Sequence, residues 1–61
     1  MNNQELRRMK EQLGLIDYRI GYKTGVHLQV IEDFFAGKTE ELDYKDRQKI
    51  EALFESMAKK K

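Results

Sequence analysis

Three glycines divide the chain at near-regular intervals, and this division limits the possible folds more than any other feature. Gly14, Gly25 and Gly37 each follow a stretch whose apolar residues lie three or four positions apart. A glycine directly after such a stretch is typical of the left-handed residue that ends a helix. No segment sustains the alternation of apolar and polar residues that marks a half-buried strand. The sequence therefore predicts an all-α fold with four helices, at about 3–13, 17–24, 28–36 and 44–58, and a frayed tail at 59–61.

The composition sets the class of protein. A chain of 61 residues supports one domain at most, 1–61, and 39% hydrophobic residues are too many for a disordered chain. The absence of cysteine excludes disulfides and thiolate metal sites. No apolar stretch approaches the roughly 18–20 residues that cross a bilayer, and the polar start lacks the apolar region of a signal peptide. We therefore expect a cytoplasmic protein with no membrane association, metal or cofactor.

Apolar residues at helical spacing predict which faces pack together. The stripes of the first and fourth helices are expected to enter the core: Leu6, Met9, Leu13, Ile50, Leu53, Phe54 and Met57. Any part of the fourth-helix stripe left outside the core would form a dimer interface. Gly21, inside the second helix, costs about 1 kcal/mol relative to alanine, which predicts that another helix approaches its backbone.

Several local roles follow from residue type and position. Asn3 and Asp17 are predicted to cap the first and second helices. Tyr18 or Thr24 is expected to face inward beside Ile20. Arg7, Arg8 and Lys10 are expected to form a solvated face of the first helix. Tyr18 and Tyr22 are expected in packing or in partly exposed surface, and His27 as a cap or turn residue.

The spacing of residues around the second glycine carries the functional information. Ile20-Gly21 is followed by Gly25-Val26, then by Ile31, Phe34 and Gly37-Lys38. This spacing, over about residues 5–38, resembles the Cro/CI (XRE-type) repressor family of helix-turn-helix DNA-binding domains. The resemblance implies a compact four-helix lambda-repressor-like fold and a small bacterial or phage transcription regulator. Its third helix, about 28–36, would lie in the major groove of double-stranded DNA, with a homodimer on a two-fold operator.

The resemblance also implies which residues meet DNA. The positions that read bases correspond to Leu28, Gln29, Glu32 and Asp33. Glutamine can pair with adenine, a carboxylate can accept from the amino group of cytosine, and leucine can touch the methyl group of thymine. The expected contacts to the DNA backbone are Lys10, Arg19, Lys23, His27, Lys38 and Thr39.

Three positions depart from the family pattern. An arginine of the first helix and a glutamate near the end of the third commonly form an ion pair in the family. Lys10 and Phe35 stand at those positions here. Asp17 replaces the glutamine that often opens the second helix and meets a phosphate, and its carboxylate would repel a phosphate.

The charge balance supports an alternative. Residues 15–43 contain three basic and six acidic residues, whereas contacts to phosphate dominate affinity for DNA. The alternative is a helix-turn-helix scaffold used as a protein-interaction module with weak or no DNA binding. Its acidic, partly aromatic face would include Asp17, Glu32, Asp33 and Phe35.

Catalysis is not expected. The sequence pairs no nucleophile with a base, contains no glycine-rich phosphate loop and clusters no set of metal ligands. The chain is predicted not to be an enzyme.

Overall fold

The fold is all-α, as predicted. The computed structural model describes residues 1–59 and places them in four helices, with no strand in that range: α1 (Asn3–Leu13), α2 (Asp17–Thr24), α3 (Leu28–Phe35) and α4 (Tyr44–Lys59). The radius of gyration is 10.4 Å, about the value expected of a compact domain of this length. None of the four helices is long and apolar enough to cross a membrane.

Two predicted boundaries were wrong by one residue. α3 ends at Phe35 rather than at 36, because Ala36 is the residue that caps it. α4 continues through Lys59, which had been assigned to the frayed tail. The rest of that predicted tail, Lys60 and Lys61, lies outside the described residues.

Left-handed glycines follow the first three helices, as their positions predicted. Gly14, Gly25 and Gly37 have φ angles of 68°, 78° and 84°. At Gly25 the consequence is largest, because its N–H donates to Gly21 O at 2.9 Å and only residues 25–27 separate α2 from α3. A residue with a side chain would be strained in this backbone conformation.

The helix starts differ from the predicted caps. The cap of α1 is Asn2 rather than Asn3, and its side-chain oxygen accepts from Glu5 N at 2.8 Å. The Glu5 carboxylate accepts in return from Asn2 N, which completes a capping box. Asp17 is the first residue of α2, and the cap position belongs to Ile16, which has no side chain able to accept.

The core lies where α1, α2, α3 and α4 meet. Seven apolar side chains of the part of the chain that the structure describes are buried: Leu6, Ile20, Val26, Ile31, Phe34, Ile50 and Phe54. A Cβ atom on Gly21 would lie 3.3 Å from Val26 O and 3.4 Å from Ile31 Cδ1, so the predicted close approach is confirmed. This core covers most of the α4 stripe. Ile50 and Phe54 are buried, and the other two members, Leu53 and Met57, are half-buried.

Candidate nucleic-acid interface

The outward side of α3 holds the four residues predicted to read bases. Ile31 and Phe34 are fully buried and fix the inner side of the helix. Leu28, Gln29 and Glu32 are exposed, and Asp33 is half-buried. The structure therefore brings the predicted base-reading residues together on one exposed helical face.

His27 starts α3 as a cap. Its Nδ1 atom accepts a hydrogen bond from Gln29 N at 3.3 Å, which confirms the predicted role at the helix start. An imidazole that accepts through Nδ1 carries its proton on Nε2 when neutral. Because the side chain is exposed, this N–H remains available to an acceptor outside the protein.

Gln29 and Asp33 form a pair on the exposed face. Gln29 Nε2 donates to Asp33 Oδ1 at 2.9 Å across one helical turn. A bidentate contact to adenine uses the amide oxygen and one amide proton, and the amide nitrogen carries two protons. The pairing therefore orients the amide of Gln29 and leaves both groups needed for adenine available.

The turn after α3 is held by backbone hydrogen bonds. Lys38 N and Thr39 N both donate to Asp33 O, at 2.9 and 3.2 Å. The side chains of Lys38 and Thr39 are exposed. They therefore extend from a fixed backbone at the end of α3, which suits contacts that need a defined position.

α1 holds the other side of this end of α3. An Arg7 guanidinium nitrogen donates to Phe34 O at 3.2 Å, and the guanidinium carbon lies 4.9 Å from the centroid of the Phe34 ring. The expected solvated role of Arg7 was wrong, because the side chain is half-buried against α3. One signal could have found it: Arg7 lies three positions before Lys10, so both share the face that meets α3.

Lys10 lies between three helices. Its Nζ atom is 5.0 Å from the centroid of the Phe35 ring and 2.8 Å from Asp17 Oδ1. Asp17 Oδ1 is buried and accepts no hydrogen bond from the described residues, so the ion pair with Lys10 is what compensates its charge. The cation predicted to hold the DNA backbone is thus engaged within the protein, where it cancels the carboxylate at the start of α2.

The acidic residues of the middle segment do not form one surface. The α3–α4 loop is fixed to the start of α1, because Asn3 Nδ2 donates to Glu40 O, and Arg47 in turn donates to Asn3 Oδ1. Arg19 of α2 instead borders a groove with Met57, near the end of α4. Residues 47 and 57 are about 15 Å apart along a helix. The acidic residues of this loop, Glu40, Glu41 and Asp43, therefore lie at the opposite end of α4 from α2.

An exposed aromatic and apolar strip was missed by sequence reasoning. Tyr18 is 68% exposed and Tyr22 81%, so of the two residues expected to face inward beside Ile20 it is Thr24 that is half-buried. The two rings border a shallow groove of about 240 Å³ that reaches Leu28 at the start of α3. Ile16 is 64% exposed beside them. A signal was present in the sequence, since Tyr18 and Tyr22 are four apart and both flank Gly21.

The two tyrosine hydroxyls are also unpaired. Within residues 1–59 neither Tyr18 nor Tyr22 forms a side-chain hydrogen bond, whereas Tyr44 Oη accepts from Gln48 Nε2 at 2.8 Å. Nothing in the fold of these residues therefore requires Tyr18 or Tyr22 to be tyrosine.

The described part of the chain contains no group of three or more carboxylates and imidazoles placed to hold a metal ion. In comparisons with family models, with curated proteins and with solved structures, nothing matches the chain.

Proposed function

We propose that the chain is a small DNA-binding transcription regulator of the Cro/CI helix-turn-helix type, with a lambda-repressor-like fold and α3 in the major groove. The observation that carries the proposal is the arrangement of α2 and α3. Gly21 lets α3 cross close to α2, Gly25 makes the short turn, and the outward side of α3 presents Gln29 and Glu32. A helix held from behind with polar side chains outward is what reading base edges requires.

The base contacts follow from the chemistry of each side chain. Gln29 is assigned to adenine, and its pairing with Asp33 sets the plane of the amide. Glu32 or Asp33 accepts from the amino group of cytosine, and Leu28 lies against a thymine methyl.

The phosphate contacts are few. Arg19, Lys23 and Lys38 are exposed cations, and His27 Nε2–H and the Thr39 hydroxyl are neutral donors. Lys10 acts indirectly, because it neutralises Asp17 rather than touching DNA. With about three neutralised phosphates, log K should fall with log salt at a slope of roughly −3, shallow for a DNA-binding protein.

The test is a selection from random duplexes at about 50 mM salt, where phosphate contacts are strongest, followed by titrations of the enriched site. Gln29→Ala should weaken the selected site by about 1–3 kcal/mol and relax the preference at one base pair. Tyr44→Ala, which removes an exposed ring outside α2 and α3, is the control and should bind as the parent does. If no sequence is enriched and random duplex is not bound either, the proposal fails.

A second candidate function is supported by a different observation. The exposed strip of Ile16, Tyr18 and Tyr22 is typical of a protein-binding surface. The face first expected for this role is altered, since Asp17 is paired with Lys10 and Phe35 is half-buried. Glu32→Lys combined with Asp33→Lys separates the two candidates. Strong non-specific DNA binding by this variant from a parent that binds none would favour the protein-interaction module.

A homodimer on DNA is also part of the proposal. It would align two copies of α3 with half-sites about one helical turn apart. The α4 stripe offers little surface for it, because Ile50 and Phe54 are fully buried. Such a dimer would therefore be held largely by the DNA.

A further inference from the structure

Opposite charges flank the exposed strip, one sign on each side. Tyr18 and Tyr22 of the strip border a groove between α2 and α3, together with Leu28 of α3. On the side toward α4, Arg19 and Lys23 are exposed and line a groove with α4 residues.

The acidic side of the strip lies on α3. Glu32 follows Leu28 by four positions and therefore shares its side of the helix, with Asp33 next to it. Val30, 37% exposed, adds apolar surface beyond the two carboxylates. Across this face the order is thus cations, aromatic strip, carboxylates.

We infer that this face binds a second copy of the chain. Rotation by 180° about an axis along the aromatic strip places the strip of one copy on that of its partner. The same rotation brings Arg19 and Lys23 of each copy opposite the carboxylates at Glu32 and Asp33 of the other. A two-fold interface uses the same patch on both copies, and this patch complements itself in charge. The dimer gives a role to the exposed tyrosines of α2, which have none in the proposed DNA contacts, and a second role to the carboxylates of α3.

The size of the strip sets the strength of the association. Two tyrosines bury about 150–250 Å² each when fully covered, and Tyr18 and Tyr22 are already one-fifth to one-third covered. The two rings therefore supply less than half of the roughly 800 Å² per partner of a stable complex, and we expect a weak dimer. Its charged pairs lie at the rim, so salt weakens it.

The dimer covers Leu28 and the carboxylates of α3, which are the base-reading residues of the proposed function. Association through this face and insertion of α3 into DNA exclude each other. This second consequence depends on the proposed function, whereas the dimer itself does not.

Sedimentation equilibrium of the chain from about 10 µM to about 1 mM, without DNA, tests the dimer. We expect a reversible monomer–dimer equilibrium. Tyr22→Ala should weaken it about tenfold, as removal of a central aromatic does, and Tyr44→Ala should leave it unchanged. Both tyrosines are exposed, so neither change should alter the fold, and circular dichroism checks this. A monomer throughout the range, or equal effects of the two variants, would overturn the inference.

A charge exchange locates the contact. Arg19→Glu and Glu32→Arg should each weaken association, because each places like charges opposite one another. The double variant restores opposite charges at both symmetric contacts and should recover most of the lost affinity. A double variant no stronger than either single one would show that these residues do not meet.

The competition has its own readout. With a duplex found by selection, Tyr22→Ala should bind DNA more tightly than the parent when the protein concentration is high enough for dimers. If dimers form and this difference is absent, competition fails and the dimer stands. If no duplex is bound at all, the proposed function fails and the sedimentation result still decides the dimer.

Discussion

Two pairs of aromatic residues in this molecule have opposite environments. Phe34 and Phe35, at the end of α3, pack edge to face with ring centroids 5.0 Å apart, and cations of α1 lie over both rings. Tyr18 and Tyr22, on α2, are 68% and 81% exposed. The difference shows that α1 supports α3 from behind while the outer side of α2 and α3 is left open. The buried pair therefore contributes to stability, and the exposed pair is the one available for the proposed contact with a second copy.

The largest expected effect is at the covered pair. Phe34→Ala removes a fully buried ring and should cost about 3–5 kcal/mol, a large part of the stability of so short a chain. Tyr22→Ala should change stability by no more than about 0.5 kcal/mol. Urea unfolding followed by circular dichroism measures both, with Phe34→Leu as a milder variant if Phe34→Ala does not fold. Similar losses of stability in Phe34→Ala and Tyr22→Ala would show that the buried and exposed aromatic pairs do not differ in their contribution to stability.

The crossing of α2 and α3 should be the next most sensitive point. Gly21→Val places branched carbons against Val26 O and Ile31 Cδ1 and should cost about 1–3 kcal/mol. Gly21→Ala should have a smaller effect of either sign, because Ile31 can yield and alanine favours the helix by about 1 kcal/mol. Thermal unfolding distinguishes the two. A valine variant as stable as the parent would mean that the helices separate there without cost.

The contacts of the Lys10 charge with Phe35 and Asp17 should contribute less to the free energy of unfolding. Lys10→Met keeps the aliphatic stem and removes the charge that faces Phe35 and Asp17, with an expected cost of about 1 kcal/mol. Arg8→Met is the control, since Arg8 is exposed and forms no ion pair with any residue from 1 to 59. A double-mutant cycle with Asp17→Asn isolates the ion pair. Strictly additive losses would show that Lys10 acts through Phe35 alone.

Loss of the caps of α1 and α3 should cost no more than the loss of the Lys10 charge, and loss of the α3 cap should cost least. Asn2→Ala breaks a 2.8 Å bond of a capping box and should cost about 1 kcal/mol. His27→Ala breaks a 3.3 Å bond and should cost less, about 0.5 kcal/mol. His27→Ser, which restores an acceptor, should recover that loss in chemical denaturation. A larger loss at His27 than at Asn2 would reverse the expected order.

The helices were predictable because glycines in the sequence mark where the first three of them end. Gly14 and Gly25 adopt the left-handed conformation that their positions indicated, and Gly21 lies at the expected crossing. The caps were displaced by one residue since a sequence pattern does not show whether Asn2 or Asn3 has the extended backbone of a cap.

The environment of the site was harder to predict, because it depends on contacts between helices. Spacing placed Tyr18 near an inward face without deciding between it and Thr24, whose hydroxyl instead donates to Ile20 O. The count of basic and acidic residues over 15–43 assumed that all of them lie on one surface. Only the packing reveals that Lys10 neutralises Asp17 and that the loop acids lie elsewhere.

The contacts of Arg47 have a consequence for the order of folding. Arg47 joins Met1 O and the Asn3 side chain, so it closes a loop of more than forty residues, whereas α2 and α3 meet across a three-residue turn. Local contacts form before distant ones because closing a long loop has a greater entropic cost. We expect α2 and α3 to associate early and α1 to dock on α4 late. Loss of the Arg47 contacts should then speed unfolding and leave the refolding rate almost unchanged.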